Sequence, residues 1–294
     1  AVSATYRTRE LDLGEAVLVF DEWPGEGARP VLFLHATGFT RGVWRPTAGV
    51  LTDACRPIAL DLRGHGASRC DLPVKDWGAM ANDVERLAAL EGWSGLVIVG
   101  HSLGGGVGTL LALKRPDLVD ALMLIEAPLK PPSGESGGNA SEMVEVALRR
   151  RYEWPSREAA AEHLRARSPY DAWHPEVFAG FVDSGLRAVG GDGTVQLACA
   201  RETEAAVFTG GGMGEMWSAL PKLDCPVWIG RGSGSRGLHS TTAPEAAAQP
   251  RRAYEWVAED SGHFAPLERP EWVEAMVRDA LAVLAGAPSA VRPR

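Results

Sequence analysis

A serine sits between two glycines in Gly100-His101-Ser102-Leu103-Gly104, after the apolar run GLVIV (95–99) and before the helix-like stretch VGTLLALKRP (107–116). A strand passing directly into a helix through Gly-x-Ser-x-Gly makes a sharp turn, and the glycines remove the side chains that would collide there. The serine hydroxyl then projects over the C-terminal edge of the sheet. The Leu103 N–H falls in the first helical turn, where donors are unsatisfied and the helix dipole favours an anion. One turn thus supplies a nucleophile, Ser102, and half of an oxyanion site.

A serine hydroxyl is a weak nucleophile and needs a base. Of the seven histidines, His263 in EDSGHFAPLERPEW lies on a loop between the last strand and a C-terminal helix starting near Pro270. That loop returns to the sheet edge that carries Ser102. His101 adjoins the serine but points away from it on such a turn, so it is read as a pocket residue. His163 and His174 are expected to be exposed, and His239 lies in a loop. The second oxyanion donor should come from HATGFTRGVW (35–44), with the Thr37 N–H first and Ala36 next. Ala36, Phe39, Trp44 and Leu103 are expected to line the pocket, because their segments carry the site. Further aromatic and methionine candidates lie at Trp154, Trp173, Phe178, Phe181, Phe208, Met213, Met216 and Trp217. Most of these are expected to pack among themselves; Trp154 and Trp217 are assigned to substrate.

The elements that would position these residues can be read from the apolar runs at 16–20, 31–36, 57–62, 95–100, 121–127, 226–230 and 253–259. Continuous short runs indicate strands buried on both faces. Between two of them, residues 76–92 show helical spacing, with Met80, Val84, Leu87, Ala88 and Leu90 on one face and Gly92 as the stop. Strands alternating with helices predict an α/β doubly wound, mostly parallel sheet. Residues 128–221 break the alternation. They open on a Pro/Gly/Ser-rich linker and continue as helices around 142–154, 156–168 and 175–189, with glycine-rich joints at 190–193 and 210–214 that would let the segment move. The expected organisation is a core of 1–127 and 222–294 with a helical cap inserted at 128–221. The final GAPSAVRPR is expected to be a loose tail.

Bulk properties narrow the function. Apolar residues make up 45%, charged residues 23%, and the net charge is −8, which fits a soluble globular protein and disfavours nucleic acid as a partner. Cys55, Cys70, Cys199 and Cys225 show no metal-ligand spacing and are expected to be reduced. No transmembrane run or signal-like start is visible, so a cytoplasmic location is expected and a membrane is not among the partners.

In order, LHATGF, DLRGHGAS, VGHSLGG and SGHFAPLERP resemble the oxyanion loop, the loop after the fourth strand, the nucleophile elbow and the histidine loop of the α/β-hydrolase superfamily. The resemblance spans about 15–285 and implies an α/β-hydrolase fold, a Ser-His-acid triad and a lid over the site. It also implies no metal or organic cofactor. Two positions depart from the pattern. Ala36 stands where the family usually has glycine. The loop after the seventh strand, IGRGSGSRG, carries Ser233 and Ser235 but none of the usual carboxylate, and serine cannot balance an imidazolium. Some family members place the acid after the sixth strand, where this chain has Glu126. Glu126 is therefore the expected acid, ahead of Asp61, Asp83 and Asp260. Arg63, His65 and Ser68 are expected to brace their loop.

This constellation fits transfer of an acyl group to water through Ser102, acting on small to medium apolar esters or, with the same triad, on a lactone. Carbon–carbon bond hydrolysis and perhydrolysis are less favoured relatives of that chemistry, and a non-catalytic ligand receptor is the reading of another class. The expected partner is a small-molecule ester or lactone, and a homodimer is an allowed assembly.

Overall fold

The computed structural model describes residues 5–25, 29–71, 74, 76–129, 140–210, 213–235 and 245–292; side chains at 140 and 213–215 are not described. The linker at 130–139, Gly211, Gly212 and His239 lie outside the described residues. Main-sheet strands are numbered here in chain order: β1 Arg7–Asp12, β2 Ala16–Glu22, β3 Pro30–Leu34, β4 Arg56–Asp61, β5 Leu96–His101, β6 Val119–Ile125, β7 Val227–Gly232 and β8 Ala253–Ala258. They pair in the order β1-β2-β4-β3-β5-β6-β7-β8, and the two-residue strand Arg69–Cys70 adds to β2. The pairs β1–β2 and β2–β4 are antiparallel, and every pair from β4 to β8 is parallel. A mostly parallel α/β sheet is thus observed.

The continuous apolar runs became the central strands, and β5 is buried at all six positions. Strand β1 had no such signal because its residues alternate between exposed and half-buried at the sheet edge. Helix α1 (Trp77–Glu91) starts where the Asp76 carboxylate accepts the Gly78 N–H at 2.8 Å and stops at Gly92 with φ +66°. Its buried face holds Met80, Val84, Leu87 and Ala88 as expected, but Leu90 lies on the solvent side at 62% exposure. Asp83, expected on a surface helix, is buried there and takes both N–H groups of Arg63 at 2.6 Å. Arg63 therefore braces the loop after β4. Ser68 does the same, donating to the Asp61 carbonyl and accepting from Val19 N–H.

The chain leaves the sheet after β6 and returns at β7. The described residues between them are not purely helical, which corrects the expected all-helical insertion. Helices α3 (Ala140–Arg149), α4 (Arg157–Arg165) and α5 (Pro175–Ser184) are joined by a three-stranded antiparallel sheet of Glu153–Trp154, Leu186–Ala188 and Val195–Leu197. The joint at 190–193 closes a hairpin of that sheet, with Val189 N–H on the Thr194 carbonyl at 2.8 Å, so it is a turn and not a hinge. Helices α6 (Arg201–Thr209) and α7 (Met213–Ala219) follow. The C-terminal helix α8 (Pro270–Leu284) covers the other face of the sheet. The tail after it is not loose through 291. Buried Asp279 accepts the Ser289 hydroxyl, the Ala290 N–H and the Trp228 indole N–H. Among the described residues, no helix is long and apolar enough to cross a membrane.

Under the loop after β3 lie two fully buried imidazoles, His35 and His65, with ring centroids 5.0 Å apart. Burial pushes His35 from 6.5 down to about 4, and burial together with its neighbour pushes His65 to about 3. The unfolded chain binds protons that these folded imidazoles refuse, so stability should fall as pH drops below 6.5. His35 alone should contribute on the order of 3 kcal/mol by pH 4. Urea midpoints measured from pH 7 to pH 4 should show this slope, and the His65→Leu variant should flatten it. Parallel curves for the two proteins would refute this account.

Candidate active site

Strands β3, β5, β6 and β7 end at one edge of the sheet, and the chain after each end supplies a piece of the site. Ser102 follows β5 with φ +49° and ψ −112°, a conformation that costs a non-glycine residue about 1–3 kcal/mol. The surroundings hold it there. The Ser102 N–H donates to the Ile125 carbonyl at 2.9 Å, and its own carbonyl accepts from Gly105 and Gly106 in helix α2 (Leu103–Lys114). A Cβ on Gly104 would lie 2.2 Å from the Leu34 carbonyl oxygen. Only glycine lets the start of α2 come this close to the end of β3, and that contact sets the elbow beside the loop beginning at His35.

Glu126 follows β6, also at φ +49°, and its N–H donates to the Gly230 carbonyl at 2.9 Å. Its carboxylate is buried. Oε1 accepts the Gly232 N–H at 2.8 Å and the Ser235 hydroxyl at 2.5 Å, and Oε2 faces His263 Nδ1 at 3.3 Å. Burial pushes this carboxyl up. The hydrogen bonds from His263 and Ser235, the charge of the imidazole and the Gly232 N–H together outweigh it and hold the group below the usual carboxylate range. The histidine loop is tied to both neighbours. His101 Nε2–H donates to the His263 carbonyl at 3.0 Å, and Gly234 N–H donates to the Ser261 carbonyl at 2.8 Å. The structure therefore brings Glu126 to His263 and fastens the His263 segment to the residue preceding Ser102. Asp61 and Asp83 are committed to Arg41 and Arg63, and Asp260 is exposed.

Residues 36–39 form a β-turn closed by the Phe39 N–H on the Ala36 carbonyl at 3.1 Å, with Gly38 at φ +80°. That φ at the third position marks a type II turn and calls for glycine. A Cβ there would also lie 2.8 Å from Glu204 Oε1 of α6. Among the described residues, the N–H groups of Thr37 and Leu103 donate no hydrogen bond. Both occupy the edge that carries Ser102; Thr37 is half-buried and Leu103 is buried.

A profile of the alpha/beta hydrolase family matches residues 31–276. The chain belongs to that family. Over 101 residues this α/β-hydrolase is 39% identical to the dihydrolipoyllysine-residue acetyltransferase component of an acetoin cleaving system from Cupriavidus necator, covering 34% of this chain and 27% of that protein. Over 121 residues it is 32% identical to a RutD protein of Agrobacterium fabrum named for carbamate hydrolysis, covering 40% and 46%. The chain thus spans less than half the length of these curated relatives. Among solved structures, a thermophilic esterase from Thermogutta terrifontis superposes with TM-score 0.70 at 26% identity, covering 95% of this chain and 99% of that one. E-2-(acetamidomethylene)succinate hydrolase shares the fold, with TM-score 0.78 at 22% identity over 96% and 100%.

The pocket residues expected for this α/β-hydrolase divide. Phe39 packs edge-on to Trp173 at 4.9 Å and Phe181 at 5.7 Å from the insertion, and lies 6.0 Å from Phe264 beside the histidine. This cluster links the loop after β3, the insertion and the loop that carries His263. Phe264 was missed in the sequence because it reads as part of the histidine motif. Trp44 is not a pocket wall: it is fully buried against Phe33 under the sheet edge. Trp154 is buried in the small sheet of the insertion, beside His163 and under Arg151. Trp217 packs on the core cluster that contains Trp77 and Met216. His101 is fully buried and holds the histidine loop rather than facing substrate. Also unforeseen is a cluster beside Gly38, in which Arg150 donates to Glu204 at 2.6 Å and to the Tyr170 hydroxyl at 2.7 Å. Burial pushes the Cys55 thiol to about 12 and Cys225 to about 11, so neither offers a competing thiolate nucleophile at neutral pH.

Proposed function

We propose that this α/β-hydrolase is a serine hydrolase of carboxylic esters that works through an acyl-enzyme on Ser102. The observation that carries the reading is the buried Glu126 carboxylate: it faces His263 Nδ1 while its other oxygen is held by Gly232 and Ser235. In this reading Ser102 Oγ attacks the ester carbonyl and His263 takes its proton. The N–H groups of Thr37 and Leu103 hold the oxyanion, each worth about 3 kcal/mol. His263 then protonates the leaving alcohol and activates the water that frees Ser102. Glu126 accepts the Nδ1–H, which fixes the tautomer and balances the imidazolium. Phe264, half-buried with its ring 5.1 Å from that of His263, favours apolar or aromatic esters, linear or cyclic, under an insertion acting as a cap. The esterase likeness in the solved structures supports the ester.

A second reading is hydrolysis of a carbamate by the same triad, favoured by the RutD relatives. The test is fluorophosphonate labelling with mapping of the adduct, beside turnover of p-nitrophenyl butyrate and a p-nitrophenyl carbamate. An adduct on Ser102 with faster ester turnover is expected. Faster carbamate turnover moves the second reading forward. A chain that is neither labelled nor active brings forward a ligand receptor built on this fold, or a pocket too selective for model esters.

A further inference from the structure

We propose that His35 is a positioning residue of the oxyanion site: by gripping the Ala36 carbonyl it sets the direction of the Thr37 N–H. The inference rests on the serine-hydrolase reading above. Ala36 C=O and Thr37 N–H belong to one planar trans peptide, so they point in opposite directions. Fixing one fixes the other. Two donors converge on that carbonyl, His35 Nδ1 at 2.8 Å and the Phe39 N–H at 3.1 Å. One turn bond alone would let the peptide rock about its ends; the imidazole holds it from outside the turn.

The histidine is itself held. Its Nε2 accepts the Leu62 N–H at 3.0 Å, so Nε2 carries no proton and Nδ1 is the donor. Leu62 directly follows β4, the sheet neighbour of β3, so the imidazole ties the loop to a rigid strand end. The ring is fully buried against His65, whose Nδ1 is tied to the Arg63 carbonyl at 3.1 Å. Two donors on one carbonyl also polarise the peptide and make its N–H a stronger donor.

Three variants separate positioning from mere folding. In His35→Asn an amide nitrogen replaces Nδ1 and keeps the donation to Ala36. In His35→Gln an acceptor can reach Leu62 while that donation is lost. Thr37→Pro deletes the oxyanion N–H, and proline suits the second position of a type II turn. With p-nitrophenyl butyrate, His35→Gln should lower kcat about 10- to 100-fold with KM nearly unchanged. Affinity for butylboronic acid should weaken in step, and His35→Asn should restore most of both. In the Thr37→Pro background, His35→Gln should cost less than about twofold more. Wild-type kcat in His35→Gln, equal losses in Asn and Gln, or losses that multiply in the double variant would each overturn the role. A measurement on the wild type needs no variant: nitrogen-15 shifts should show His35 as the Nδ1–H tautomer at pH 7, and an Nε2–H tautomer overturns the proposal. A wild-type chain that neither hydrolyses the ester nor binds the boronate overturns the serine-hydrolase reading itself.

Discussion

Ser102→Ala should hydrolyse p-nitrophenyl butyrate about 10⁵- to 10⁶-fold more slowly than the wild type, with its melting temperature little changed. The backbone that holds residue 102 does not depend on the hydroxyl. The Ser102 N–H bond to Ile125 and the bonds from Gly105 and Gly106 involve main chain only. Alanine therefore keeps the strained φ of +49° and loses only the nucleophile. Ser102→Gly should be equally inactive yet melt higher, because glycine adopts that conformation without the penalty. Relief of about 1–3 kcal/mol exceeds the added chain entropy of about 0.5–1 kcal/mol. Residual activity in Ser102→Ala above one part in a thousand would assign the nucleophile elsewhere. A Ser102→Gly variant that melts lower would refute the strain.

Glu126→Gln should lower kcat about 10⁴-fold while folding normally. The geometry explains the size of the loss. Gly232 N–H and the Ser235 hydroxyl both donate to Oε1, so in glutamine the amide oxygen stays there and the NH₂ faces His263. A donor against Nδ1 selects the opposite tautomer, with the proton on Nε2, where it cannot accept from Ser102. Adding Ser235→Asp to this variant should recover about tenfold or more, because residue 235 touches the same carboxylate from the loop after β7. Ser235→Ala alone should move the acid limb of the pH–rate profile upward, since it removes one of the donors that hold Glu126 below the usual range. An undiminished Glu126→Gln would show that Glu126 is a structural carboxylate.

Where residue type alone decides the outcome, the sequence was readable. Continuous short apolar runs between turn residues read as strands, and Gly-x-Ser-x-Gly between strand and helix reads as a sharp turn, so β3 to β8 and the elbow were legible. The absence of a carboxylate after β7 pointed to Glu126, and the structure places that carboxylate against His263. Pairings that need a partner distant in the chain were not legible. Ser235 looked like a deletion of chemistry, yet it donates to the Glu126 carboxylate. Asp83 looked exposed because Arg63, twenty residues earlier, carries no mark of the pairing. Trp44, Trp154 and Trp217 were assigned by type, and a large aromatic has the same type in a core as in a pocket. The strands of the insertion, two or three residues long, are too short to show a period.

Glu126 stands at the point where the chain departs from the sheet: Ile125 ends β6, and the turn through Ala127 and Leu129 begins the excursion. The insertion is therefore not a module that can be exchanged without regard to the chemistry below it. A chimera spliced immediately after Ile125 would import its donor's residue at 126 and discard Glu126, the proposed acid; a junction beyond Leu129 would keep it. Any pull that the insertion exerts on its first anchor is exerted on the proposed triad, so graft boundaries chosen by domain appearance alone should yield folded, inactive hybrids.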